Sequence, residues 1–314
     1  MSSAHDLPPA DRQKFEFGFE VIMWDLGGHS VADALDLIAG EGFGWYEALL
    51  GDSLGADFSR RVMTLGPRSA PEIVSDIHLL DRLAFFARAE AERGVRLASL
   101  FCDGDWLNPN LWPLEFAKAQ IVTRLLRTCG SPILVCGGGP PAGENPHSSE
   151  DYAAFVERLH DIGRYTADQG IRAVYHPHID TFVETREQLD RFMDVLDTDI
   201  VGLCIDPAHF QIKQDDPVDI FKTYAAAINY VHLKDCTADE STVSGFDRYL
   251  AFSPLGSGIV DIRGIINVLL DVSYDGLVIV EQDISQKPDE DFKTSAAFIR
   301  QELGLSIGRA AVAA

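Results

Sequence analysis

The chain has 314 residues, 46% hydrophobic, 24% charged and 10% aromatic, a composition that fits an ordinary globular protein and excludes a disordered or fibrous one. Its 49 acidic against 26 basic residues give a formal net charge of −23 at pH 7, a field that repels phosphate backbones and argues against nucleic acid as a partner. Five cysteines without a Cys-x-x-Cys pair exclude a disulfide framework and fit a reducing cytoplasm; no apolar run reaches the roughly 18 residues of a membrane span, and residues 1–13 lack the pattern of a secretory leader.

Residues 1–14 read as a flexible tail, 15–306 as a single domain and 307–314 as a second short tail. Within the domain, short apolar runs alternate with helix-length amphipathic segments, the sequence form of a parallel sheet covered by helices. The first run begins near Phe17, continues through FEVIMW, and precedes a helix over 31–39. The second begins at Trp45 (WYEALL), with a long connection over 51–72 and a helix over 77–93. A strand from Val95 (VRLASLF) precedes a helix over 114–128, and one from Pro132 (PILVCGGG) precedes a helix over 151–168. Strands from Ile171 (IRAVYHPH) and Ile200 (IVGLCID) lead to helices over 185–196 and 217–226. The last two, from Ile228 (INYVHLKD) and Gly276 (GLVIVEQD), lead to helices over 262–270 and 291–303.

Eight strands alternating with eight helices is the count that closes a (β/α)8 TIM barrel. An open doubly wound sheet would bring a glycine-rich phosphate turn after its first strand, and Trp24-Asp25-Leu26-Gly27-Gly28 lacks that spacing. Gly137-Gly138-Gly139-Pro140-Pro141 reads as a sharp loop rather than a phosphate cradle. The connections over 51–72 and 237–253 are expected over the carboxyl-terminal face, as a lid or an oligomer contact.

In such a barrel the chemistry sits at the carboxyl ends of strands. Four consecutive strands end in polar, ligand-type residues: His176 and His178, with Glu184 beyond; Asp206 and His209; His232, Lys234 and Asp235; Glu281 and Asp283. Strand alternation places His176 with His178, His232 with Lys234, and Glu281 with Asp283 on common sides, aimed at the mouth. One such residue is ordinarily a hydrogen-bonding group in a satisfied core. Four successive strand ends crowd like charges that repel unless a cation or substrate compensates them. Imidazoles and carboxylates without thiolates suit Mn²⁺ first, with Co²⁺ and Mg²⁺ as alternatives. Thr185 to Gln188 has the Thr-x-x-Gln form of a capping box, which puts Glu184 where a loop enters a helix.

The ordered motifs YHPHIDTFVET, GLCIDPAHF, YVHLKD, SPLGSGIVD and DGLVIVEQD resemble the sugar phosphate isomerase/epimerase superfamily of xylose-isomerase-like barrels, and within it the inosose (2-keto-myo-inositol) dehydratase group. The resemblance covers the whole barrel loosely and the C-terminal half strongly. It implies a divalent metal held by an acidic residue of the fifth strand or its loop, an Asp of the sixth, a His of the seventh and a Glu of the eighth: Glu184, Asp206, His232 and Glu281. Many relatives carry the first glutamate on the strand itself, where this chain has His176, so either Glu184 folds back or His176 ligates directly. The resemblance also implies substrate contact at His209 and an inward Glu47, while Lys234 either holds an enolate oxygen or pairs with Asp235. Asp-Pro-Ala-His replaces the more usual Asp-Thr-Gly-His, and Ala227 stands where relatives often carry an arginine, which leaves the substrate open.

These features predict proton abstraction beside a ketone of a keto-cyclitol or keto-sugar, with His176, His178, His209 and Lys234 as acid/base candidates. Loss of a β-hydroxyl makes the enzyme a dehydratase or lyase; return of the proton makes it an epimerase or isomerase. A non-catalytic carbohydrate-binding or accessory subunit, or a homo-oligomer, is the remaining reading. The expected partner is a small sugar or cyclitol, with no membrane involved.

Overall fold

The computed structural model describes residues 9–49, 76–143 and 145–308. Eight parallel strands close into a barrel: β1 (Glu16–Glu20), β2 (Trp45–Leu49), β3 (Arg96–Gly104), β4 (Ile133–Gly138), β5 (Arg172–Tyr175), β6 (Gly202–Ile205), β7 (Ile228–Leu233) and, after a two-stranded excursion of β8 (Asp235–Cys236) and β9 (Phe252–Ser253), β10 (Leu277–Val280). The ring runs β1-β10-β7-β6-β5-β4-β3-β2, so β10 seals it against β1 with Gly18 opposite Ile279. A methyl on Gly18 would lie 2.5 Å from the Ile279 side chain, which is why the closing seam takes a glycine.

Alternation along the strands sorts the core into two shells. Trp45, Ala98, Ile133, Val135, Val174, Cys204, Tyr230 and Ile279 fill the barrel interior. Their neighbours, among them Phe17, Phe19, Tyr46, Leu134, Tyr175, Leu203, Val231 and Val280, pack outward against the helices. Above the inner apolar layer the inward positions become polar, and that change sets the floor of the site.

The helices fall close to their expected places: Val31–Gly40, Asp76–Arg93, Trp112–Cys129, Ser149–Asp168, Arg186–Met193, Pro217–Tyr224, Ile262–Asp271 and Pro288–Ala297. Ser148 and Asp151 form a reciprocal capping box at one entrance, and the expected box of Thr185 and Gln188 forms at another. Gly138 and Gly139 turn with φ of 89° and 83°, and a Cβ on Gly139 would lie 2.6 Å from Phe155, so the glycine run serves a tight, packed turn.

Two expectations need correction. The run FEVIMW is not all strand: β1 stops at Glu20, and Ile22–Leu26 is a short helix in which Ile22, Met23 and Trp24 are buried. The helix over 291–303 begins earlier, at Pro288, and widens into a π-type turn over Phe298–Glu302. The 237–253 connection carries an antiparallel pairing of β8 with β9 and a helical turn, Asp247–Leu250. The 51–72 connection and residues 1–8 lie outside the described residues; Pro9–Arg12 forms one helical turn, with Arg12 bound to Asp271 at 2.5 Å. Among the described residues no helix is long and apolar enough to cross a membrane.

Candidate active site

Each inward polar residue is delivered by a strand end. His176 follows β5, its backbone N–H donating to Cys136 O at 2.8 Å and its ring Nδ1 lying 3.3 Å from Cys204 O. Asp206 follows β6 and caps the helix Pro207–Ile212: Oδ1 accepts from Ala208 N at 2.8 Å, which turns Oδ2 to the mouth. One helical turn on, His209 brings Nε2 to 3.2 Å from that Oδ2. Tyr230 and His232 point inward from β7, Lys234 follows, and Glu281 and Asp283 extend β10.

Lys234 is fully buried, with Nζ 2.5 Å from Glu281 Oε1, 2.8 Å from Asp283 Oδ1 and 3.2 Å from Asp206 Oδ2. It does not pair with Asp235, whose carboxylate accepts instead from the backbone N–H groups of Cys236, Gly256, Gly258 and Val260. Below Lys234, His232 stands between two carboxylates. Nδ1 is 2.6 Å from Glu281 Oε2, and Nε2 is 3.1 Å from both oxygens of Glu47. Glu47 also accepts from Ser99 Oγ at 2.5 Å and Tyr230 OH at 2.7 Å. Glu20, Ser99 and Tyr230 escaped the sequence reading. Reading β1 on to Trp24 hid Glu20 as a strand end, and a register shift between β2 and β3 at Tyr46/Glu47 hid the inward turn of Ser99.

His176, His178, His209 and Lys234 come together with Asp206, His232 and Glu281. The rings of His178 and His209 have centroids 3.7 Å apart, and those of His176 and His232 are 4.7 Å apart. Glu184 is held elsewhere: its Oε2 accepts from Asp180 N at 3.0 Å and lies 3.7 Å from Lys213 Nζ. Among the described residues it is in no group of ligand-type side chains whose donor atoms converge, and His176 is in the group that contains Asp206, His232 and Glu281.

Among the described residues, five carboxylates, Glu20, Glu47, Asp206, Glu281 and Asp283, are buried here around the one ammonium of Lys234. Burial, together with Glu281 and Glu47, pushes Glu20 well above the usual carboxylate range. Burial raises Asp206 to about 6 and Asp283 to about 7 against the pull of Lys234. Glu281 moves the other way: burial opposes its charge, but Lys234 and His232 hold it well below the usual range. The imidazoles divide likewise. Burial keeps His176 and His209 neutral and lowers His178 to about 4. His232, despite its burial, is raised by Cys204, Glu47 and Glu281.

The donor set fits a divalent cation. One ligand atom from each of His176, Asp206, His232 and Glu281 lies within 4.8 Å of the others. Three buried atoms of that group, Asp206 Oδ2, His232 Nδ1 and Glu281 Oε2, make no well-aligned hydrogen bond and have ion-pair contacts instead, His232 with Glu281 and Asp206 with Lys234 and His209. A cation at their common focus satisfies all three and offsets the surplus negative charge.

A family model described as a xylose isomerase-like TIM barrel matches residues 56–302. The chain belongs to this family. Among curated relatives of the xylose isomerase-like barrel, an inosose dehydratase of Clostridium botulinum is 31% identical over 150 residues, 45% of this chain and 50% of that protein. An inosose dehydratase of Bacillus cereus is 28% identical over 169 residues, 50% of this chain and 57% of that protein. The chain thus spans about half the length of the curated relatives it matches. Solved structures share the fold at low identity. The probable 3-DHS dehydratase AsbF of Bacillus anthracis superposes with a TM-score of 0.71 at 14% identity, over 91% of this chain and 99% of that one. The IolI protein with a bound zinc atom gives 0.70 at 15%, over 92% and 98%. A D-allulose 3-epimerase of Methylomonas sp. in complex with D-allulose gives 0.66 at 19%, over 92% and 97%.

Proposed function

We propose that this chain is a divalent-metal-dependent lyase of the dehydratase kind, acting on a keto-cyclitol or keto-sugar in a reducing cytoplasm. The observation that carries the reading is the convergence of Asp206 Oδ2, His232 Nδ1 and Glu281 Oε2, buried and without well-aligned hydrogen bonds, in one group with His176. His176, Asp206, His232 and Glu281 would hold the ion, with His176 in the place that the family resemblance implied for Glu184. Two imidazoles with two carboxylates suit Mn²⁺, and a bound ion supplies Lewis-acid polarisation of a ketone beside a hydroxyl. The similarity to inosose dehydratases supports a cyclic polyol ketone as the substrate class.

The chain's own residues supply the proton steps. His178 and His209 are kept neutral by burial, so an imidazole nitrogen of this pair takes the proton from the carbon next to the ketone. Lys234 remains protonated among Asp206, Glu281 and Asp283 and gives a proton to the departing hydroxyl, which leaves as water. The aromatic ring of Phe252, 4.6 Å from Lys234 Nζ, helps exclude bulk water from that donor.

The test is to strip the protein with chelator, reload it with Mn²⁺, and incubate it with inosose in D2O. The expected result is deuterium incorporation beside the ketone with loss of water, both dependent on the ion. Exchange and inversion without loss of water would make the protein an epimerase on the same site. A protein that neither binds an ion nor exchanges protons would be a binding or accessory barrel.

A further inference from the structure

We infer that Glu47 is a positioning residue that fixes His232 in the tautomer with its proton on Nε2, leaving Nδ1 as the nitrogen that faces the ion; this rests on the metal reading above. Glu47 is fully buried, so no bulk water competes for its oxygens. Its Oε2 accepts two hydroxyl protons, from Ser99 at 2.5 Å and from Tyr230 at 2.7 Å, while Ser99 and Tyr230 also touch each other at 2.8 Å. An ionised carboxylate can only accept hydrogen bonds. The contact with His232 Nε2, 3.1 Å from both oxygens, therefore requires the ring to donate.

The opposite edge of the ring supports the same assignment. His232 Nδ1 and Glu281 Oε2 lie 2.6 Å apart, an ion pair while the ring is protonated, and both residues belong to the group whose ligand-type atoms converge. A cation bound there would take the place of the Nδ1 proton and be shared by the two atoms, while the proton on Nε2 stays with Glu47. A ring whose remaining N–H is held by a carboxylate has a fixed orientation and a more basic ligating nitrogen.

Support comes from rigid elements. Glu47 is on β2, Ser99 on β3 and Tyr230 on β7, two residues before His232 and in the layer below it. The pin is thus built into the barrel wall, where its geometry is set by strand pairing rather than by a loop. Glu20, Glu47 and His232 also stand close enough to hold a second cation, but the hydroxyl donors on Glu47 Oε2 leave little room for that use.

Two variants separate acceptor from charge. Glu47→Gln keeps an oxygen for Nε2–H, and Glu47→Leu removes it at similar volume. Each is examined by ¹H–¹⁵N NMR of the imidazole rings, metal-free and Zn²⁺-loaded, and by Zn²⁺ titration against a chromophoric chelator. The wild-type protein should give a downfield, slowly exchanging His232 Nε2–H signal in both states. Glu47→Gln should retain it with a small loss of affinity, and Glu47→Leu should lose it together with about 10- to 100-fold in Zn²⁺ affinity. If Glu47→Leu does not fold, Tyr230→Phe serves instead. Loss of one donor to Glu47 should shift the Nε2–H resonance, and an unmoved resonance overturns the inference. Wild-type affinity with an unmoved His232 signal in Glu47→Leu also overturns it. So does a wild-type stoichiometry of two Zn²⁺ per chain that falls to one in Glu47→Gln, because Glu47 would then be a ligand. If the wild-type protein binds no Zn²⁺, the metal reading fails by itself, and the Nε2–H signal and its loss still decide the tautomer.

Discussion

Glu184 and His176 compete for one place in the ligand set, and their surroundings separate them. Glu184 sits at a helix entrance, its carboxylate on Asp180 N and its own N–H donating to Gln188 Oε1 at 2.8 Å. Glu184→Gln keeps those acceptors, so Mn²⁺ titration should be nearly unchanged and stability should fall by less than about 1 kcal/mol. His176→Ala should weaken the ion by more than the ~10–100-fold that loss of an outer partner brings. Calorimetric titration of both variants checks this, and the reverse ranking would return the ligand role to Glu184. Far from the mouth, His160 offers a pH test. Its Nε2 accepts from Asp197 N at 3.0 Å, and burial, with Arg164, lowers its pKa below 6.5. A depressed folded pKa means stability that is present above the unfolded value and lost as the pH falls through the folded one. The stability difference between wild type and His160→Phe should therefore shrink below about pH 6.5. Urea midpoints at several pH values measure it, and a constant difference would refute the assignment.

At the scale of elements, the segment from β8 to the helix at Ile262 is organised by one buried carboxylate. Asp235 holds Cys236, Gly256, Gly258 and Val260 by their N–H groups, and a Cβ on Gly258 would lie 2.1 Å from Asp235 Oδ1, so the loop closes around it. The same excursion carries Phe252 over Lys234 and Tyr249 toward His178. Asp235→Ala strands four buried or partly buried donors. It should cost about 3 kcal/mol, at the upper end of ordinary single substitutions. Activity should fall as well, since the aromatic wall loses its support. Chemical denaturation reads the first effect, and a loss under about 1 kcal/mol would show that water replaces the carboxylate.

Over the whole molecule, the barrel closes Glu20, Glu47, Asp206, Glu281 and Asp283 into a space with the ammonium of Lys234, and the folded state gains whatever a cation returns. An ion that binds only the folded form stabilises it by about 2.7 kcal/mol at a hundred times its Kd, or roughly 5 °C in Tm. Adding Mn²⁺ to chelator-stripped protein should raise the melting temperature by that order, with reversal by chelator. Asp206→Asn and Glu281→Gln should abolish the rise. A rise that survives in both variants would locate the ion elsewhere.

The linear chain itself determined the barrel, because strand and helix periodicities are local. Eight apolar runs, each followed by an amphipathic segment, have essentially one closed solution. It also determined which strand ends carry chemistry, since Asp206, His232, Lys234, Glu281 and Asp283 each interrupt an apolar run. Tertiary structure alone decided the partners. Lys234 turns to Asp206, Glu281 and Asp283 rather than to its neighbour Asp235, because Asp235 is claimed by a loop that returns some twenty residues later. Glu20, Glu47 and Ser99 reach the same centre from the first three strands, and Ser99 does so only through a shifted register between β2 and β3. Period and polarity are written locally, whereas the meeting of distant side chains depends on strand order and register, which exist only once the barrel has closed.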